Sequence, residues 1–552
     1  MLKNISNKLS QIRRESEERV AQNRAQKMGK KYLNPAKITI SVEALELLPE
    51  EVAAKGQIAV IEKKNDKAAA IVTDTTNPET QKALDSLKSK GYDVSIFVVS
   101  LSGLRYALDF YKYVGKAKEN ITGKIKVEEK TKEIEQSLGT IEELKNFLSK
   151  QEFAGSRAGE ILEYIFKGAL DNRASDIHFE ATEEGANLRF RIDGNLNDVF
   201  SFSKDFYRFI IGRVKLLSNL KLNITTGPQD GRFTMALPNK NVEVRVAVAP
   251  AQFGEVIVMR LLDPDAINLD LSAMGMREDD LAIVKQELKR PNGMILNTGP
   301  TGSGKTTTLY AFLKYKKNSQ LKIITVEDPI EYRLEGVEQT QVDDEAGYTF
   351  ANGLKSLMRQ DPDVILVGEI RDKETAEIAI QAALTGHLVF STVHANSASG
   401  AIPRLLDLDV KPVSVGPALN LVIGQRLVRR LCNECKTEAQ IGDDVKNKIA
   451  TFIKNLPERV NRESFKDIKI FEPKGCAVCN NTGFKGRAAI YELLQAAPEM
   501  EKLILEQKGE SEYVKYAKEK QMVTIQEDGI LKVILGVTTF EEVEDVTGPI
   551  AW

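Results

Sequence analysis

The chain has 552 residues, and its 77 Lys and Arg nearly cancel its 79 Asp and Glu, leaving a formal net charge of −2. That length exceeds a single hydrophobic core and divides into roughly three or four domains, while the balanced charge argues against a partner found mainly through a whole-molecule field, as for a generic nucleic-acid binder. No run of about 18 apolar residues marks a spanning helix and no signal-peptide core opens the chain, so the expected place is the cytoplasm.

Residues 1–35 form a basic arm in which Leu2, Ile5, Leu9 and Ile12 recur at helical spacing. It reads either as a solvated terminus or as an amphipathic helix that docks on a partner or an acidic membrane surface. Over 36–115, the strand-like runs "QIAVIEKK", "AAAIVTD" and "VSIFVVS" surround the helical "NPETQKALDSLKSKG", the pattern of a small α/β domain. Residues 116–150 are charged and poor in large apolar side chains, and read as a linker. A second α/β domain is expected over 151–265, from the amphipathic "AGEILEYIFKGALDNRA" through the strands "SDIHFEA", "NLRFRIDG", "VEVRVAVAP" and "EVIVMRLL". The remainder, 266–552, holds the nucleotide-binding part.

There, "GMILNT" supplies a buried strand, followed by the full phosphate-loop pattern of Gly299, Pro300, Thr301, Gly302, Ser303 and Gly304, with Lys305, Thr306 and Thr307 opening a helix. Glycines let the backbone N–H groups face a phosphate, helped by the positive end of the helix. Lys305 then supplies a point charge to the β- and γ-phosphates of ATP, and the Thr306 hydroxyl is placed to ligate Mg²⁺. Further on, "DPDVILVGEIRD" ends an apolar strand, expected beside the loop's own strand, at Gly368 and Glu369. A carboxylate there can activate the attacking water. "IITVEDPIEY" also ends in carboxylates, and Glu327 or Glu331 competes with Glu369 for that role. His394, closing "LVFSTVH", is expected to sense the γ-phosphate. The only four cysteines, Cys432, Cys435, Cys476 and Cys479, fall in two CxxC pairs about forty residues apart, a use of thiols that fits metal binding better than disulfides.

"GPTGSGKTTTLY", "VEDPIEY", "LMRQDPDVILVGEIRD" and "TGHLVFSTVHAN", in this order and spacing, resemble the Walker A, Asp, Walker B and His boxes of the type II secretion and type IV pilus assembly ATPases, over roughly residues 150 to 550. The resemblance implies a multidomain α/β protein in which a RecA-like ATPase core follows a PAS-like second domain, assembled as a homohexamer. It implies that Arg232, Arg245 and Arg260 of the second domain reach the phosphates, a task suited to a fork that stays charged. Four thiolates near "TGFKGRAAIYELL" resemble the closed structural Zn²⁺ module, about 427–490, of the family's assembly-type members; a redox pair is the competing reading. By the same resemblance the protein powers pilin polymerisation through an inner-membrane platform protein, peripheral at the inner face of the membrane and without nucleic acid. A type II secretion motor is the close alternative, and a retraction motor or an ATP-switched zinc regulator of nucleic acid is more remote. The N-terminal domain resembles only half of its counterpart in these ATPases, so no ligand is carried over to it.

Overall fold

A computed structural model describes residues 16–35, 38, 40–113, 124–126, 138–266 and 270–552. It falls into two compact units with the main boundary between Leu261 and Leu262, and Gly139–Glu142 groups with the second. Leu2, Ile5, Leu9 and Ile12 of the expected arm lie outside the described residues.

In the first unit, β1 (Lys31–Tyr32), β2 (Ile58–Lys64), β3 (Lys67–Val72) and β4 (Asp93–Val98) form a sheet in the order β1-β4-β3-β2. β2 and β3 make a hairpin whose turn places Asn65 at φ 55°, a left-handed conformation that Asn tolerates. β3 and β4 run parallel, joined by the helix Pro78–Ser89, which starts with the Asn77 side chain accepting the Glu79 N–H and with Pro78 at the first position. Two domain limits move. Residues 16–27 are helical and turn Ala21 and Ala25, one helical turn apart, inward, while β1 pairs with β4. Residues 16–35 therefore belong to this domain and are no separate arm.

The linker expected over 116–150 is also too long. β5 (Lys124–Lys126) pairs with the strand Gln229–Ala236, and the helix Ile141–Ser149 buries Leu144 and Leu148. Gly168 leaves the room that Leu144 occupies, since a Cβ there would stand 2.6 Å from its Cδ2, and the Phe147 and Tyr164 rings meet edge to face at 4.6 Å. The second sheet continues with β6 (Ala174–Ala181), β7 (Gly185–Ile192), β8 (Asn195–Ser203), β9 (Gln229–Ala236), β10 (Asn241–Ala251) and β11 (Gly254–Leu262), in the order β5-β9-β10-β11-β6-β7-β8. Burial alternates along these strands. The apolar residues face the helices Ala158–Asp171 and Lys204–Leu217, and the other face carries Arg189, Arg191, Arg232, Arg245 and Arg260.

The second unit is built on β12 (Gly293–Thr298), β13 (Ile323–Glu327), β14 (Glu338–Gln341), β15 (Val364–Val367), β16 (Leu388–Val393), β17 (Leu419–Leu431) and β20 (Phe484–Gln495), ordered β14-β13-β15-β16-β12-β17-β20. All neighbours are parallel except β17 and β20. β12, β13, β15 and β16 are buried along their whole length, which is why they read as unbroken apolar runs, and a core lies on each face of the sheet. The cysteine module is narrower than 427–490, because β17 and β20 are strands of the main sheet. What lies between them is an insertion with the helix Asp443–Asn455 and the short pair β18 (Thr437–Glu438) and β19 (Phe471–Glu472).

Candidate functional site

The loop from Gly299 to Gly304 joins β12 to the helix Lys305–Lys316. Gly299 can carry no side chain, because a Cβ would lie 2.4 Å from the Gln425 carbonyl of β17, and Gly304 turns the chain into the helix at φ 87°. The Lys305 Nζ folds back to donate to the carbonyls of Gly299 (2.7 Å) and Pro300 (3.1 Å). Burial holds its pKa below the usual lysine value, against the opposing pull of Glu369. Ser303 is buried and its Oγ finds no hydrogen-bond partner among the described residues, while Thr306 is exposed at the helix start. An unsatisfied hydroxyl and a bare-glycine cradle at a helix N-terminus fit a bound phosphate chain.

β15 is not the direct neighbour of β12. β16 lies between them, so the strand beside the phosphate loop is the one that delivers His394. The strand order follows from crossovers that sequence distance does not specify. Glu369, just past β15, is nevertheless brought to His394, whose Nε2 lies 3.1 Å from its Oε2, and it is paired with Arg371. Arg371 also stands 3.8 Å from Asp328. The backbone around Glu369 is pinned on both sides: the Gly368 N–H donates to the Val326 carbonyl, the Ile370 N–H to that of Thr392, and the Thr392 hydroxyl to that of Gly368. Thr298, the last residue of β12, ties the His394 loop to the phosphate loop. Its hydroxyl donates to the carbonyls of Val393 and Ala395 and accepts the Ala395 N–H, all at 2.9 Å.

Glu327 goes elsewhere. It is 3% exposed and accepts hydrogen bonds from Tyr310, from Thr325 at 2.5 Å and from Gln339 at 3.2 Å. Burial pushes its pKa up, with these donors opposing. It is a carboxylate of the core that ties the phosphate-loop helix to β13 and β14. Glu331 lies half-buried on the loop that follows. Arg371 and Thr298 were not singled out from the sequence, although Arg371, two residues beyond Glu369, stood within a quoted motif.

In the second domain, Arg232 and Arg245 sit directly opposite each other on β9 and β10, with Glu243 3.9 Å from Arg232. Arg260 on β11 is paired with Asp176 at 2.9 Å.

The sulfurs of Cys432, Cys435, Cys476 and Cys479 all lie within 4.8 Å of one another. The separations Cys432–Cys476, Cys435–Cys479 and Cys476–Cys479 are 3.9, 3.8 and 3.7 Å. Four sulfurs at about 2.3 Å from a tetrahedral zinc stand about 3.8 Å apart, so the donor set fits that ion with every position filled by protein. The N–H groups of Cys476 and Gly483 point at the Cys479 sulfur, both at 3.2 Å.

The family model for type II/IV secretion system protein matches residues 156–545. The chain belongs to this family. The type IV pilus assembly ATPase PilB of Myxococcus xanthus is 35% identical over 525 residues, covering 94% of this chain and 89% of its own. The type II secretion system ATPase E of Vibrio cholerae is 43% identical over 379 residues, 69% of this chain and 73% of its own. An X-ray structure of the Legionella pneumophila ATPase DotB, 19% identical with a TM-score of 0.51 over 70% of this chain and 95% of that one, shows the likeness of fold alone. As a member of the secretion family the protein is a motor ATPase.

Proposed function

We propose that the chain is the homohexameric motor that powers pilin polymerisation in type IV pilus assembly, working at the inner face of the membrane through a platform protein and without nucleic acid. The observation that carries this is coverage: the pilus assembly relative aligns over 94% of the chain, its N-terminal part included, whereas the type II secretion relative aligns over 69%. The higher identity of the secretion relative, 43% against 35%, favours a type II secretion motor as the second reading.

In the cycle, Lys305 leaves the carbonyls of Gly299 and Pro300 for the β- and γ-phosphates, and the Ser303 side chain joins the cradle. Glu369 orients the attacking water and takes its proton. His394, on the loop tied to Thr298, registers whether the γ-phosphate is present. Thr306 would hold magnesium, which shields phosphate charge when bound. Arg232, Arg245 and Arg260 serve as phosphate-binding arginines. Cys432, Cys435, Cys476 and Cys479 would hold zinc in a closed structural site that takes no part in hydrolysis. In the native host, Glu369→Gln should remove surface pili while pilin persists in the membrane. Excess pili in that strain would indicate retraction, and normal pili with blocked export of a folded protein would indicate type II secretion.

A further inference from the structure

Asp176 lies on the arginine-bearing face of the second domain's sheet, yet its side chain is only 6% exposed. It stands on β6 directly opposite Arg260 on β11 and Arg191 on β7, so the three residues form one row across three strands. Its Oδ1 accepts the Arg260 Nε–H at 2.9 Å; its Oδ2 accepts the Ser175 hydroxyl at 2.8 Å and lies 3.6 Å from Arg191 Nε. The two arginine side chains roof the carboxylate, and at 59% and 36% exposed they themselves remain in reach of solvent. Desolvating a carboxylate is costly unless its charge is matched, and here it is matched by two guanidinium groups and one hydroxyl.

We infer that Asp176 is the positioning residue for Arg260, fixing the direction in which its guanidinium leaves the sheet. This rests on the reading of Arg260 as an arginine that reaches the phosphates. An arginine side chain has many rotamers, and a bond at Nε, the inner edge of the fork, selects among them. Arg191 serves the other oxygen, so the carboxylate keeps a counter-charge when Arg260 shifts toward an anion. No residue neighbouring in sequence signals this pairing, since Asp176 and Arg260 are brought together only by the β6–β11 register.

The test is a double-mutant cycle on steady-state ATP turnover by the full-length assembled protein. Asp176→Asn keeps the size of the side chain and an acceptor for Ser175 and removes the charge. It should lower kcat about tenfold or more, with KM for ATP changed little and the melting temperature preserved. In an Arg260→Ala background the same change should add nothing. Wild-type turnover by Asp176→Asn, or its full factor reappearing in the Arg260→Ala background, overturns the inference. Wild-type turnover by Arg260→Ala alone overturns the reading of Arg260 itself, and the inference with it. Should Asp176→Asn not fold, Asp176→Glu, which keeps the charge and shifts it by one methylene, goes through the same cycle with the same criteria.

Discussion

Glu327 and Glu369 end neighbouring parallel strands, and as stretches of sequence they are alike: an apolar run closed by a carboxylate. Their surroundings separate them. Glu327 meets Tyr310 of the phosphate-loop helix, Gln339 of β14 and Thr325 of its own strand, and is buried. Glu369, at 13% exposed, meets His394 and Arg371. None of these partners except Thr325 and Arg371 is a near neighbour in sequence, so the distinction was not legible there, and Glu327, Glu331 and Glu369 stood as rivals. Glutamine at 327 keeps the shape and most of the hydrogen bonding, so Glu327→Gln should turn over ATP within a few-fold of the wild type. Glu369→Gln should lose about a hundredfold or more, the usual range for a missing general base, while still binding a fluorescent ATP analogue. Phosphate release at saturating ATP measures both, and a Glu327→Gln loss as deep as that of Glu369→Gln would move the base to Glu327.

Among the elements, those defined by local pattern were read correctly in kind, and those defined by packing were not. The strand, loop and helix of the phosphate site follow from an apolar run, three glycines and a helical segment, all within about two dozen residues. The helix Ile141–Ser149 has apolar residues at helical spacing, but it follows a long charged stretch, and its packing of Leu144 and Phe147 on the helix Ala158–Asp171 is a tertiary contact that the local pattern does not show. The CxxC pairs were legible because each brings its two thiolates together through one tight turn. The pairing of the knuckles depends on β17 and β20, an antiparallel pair that brings Cys432 and Cys476 to the same end. Purified protein should contain one zinc per chain by elemental analysis, and Cys476→Ser should lose the metal and lower the melting temperature, since in a closed thiolate site binding energy is folding energy. Metal-free protein of unchanged stability would refute the zinc assignment.

For the whole molecule, the proposed hexamer and the proposed lack of a nucleic-acid partner can be tested together. Turnover per chain should rise with protein concentration until the proposed ring is complete and should not respond to added double-stranded DNA, as a coupled phosphate-release assay would show. Stimulation by DNA that disappears at higher salt would point instead to a nucleic-acid partner. From its sequence alone the chain was identifiable as a member of this ATPase family, with its phosphate loop and its four thiolates, because each of these rests on residue types at short, fixed spacing and on local backbone geometry. Strand order lay beyond that reach: β16 stands between β12 and β15, so His394 reaches Glu369, while Glu327 closes into the core. The same holds for residues 16–35 joining the first domain and for Asp176 meeting Arg260. These arrangements depend on pairings across tens of residues, where many registers share one local pattern and packing of the assembled core selects among them.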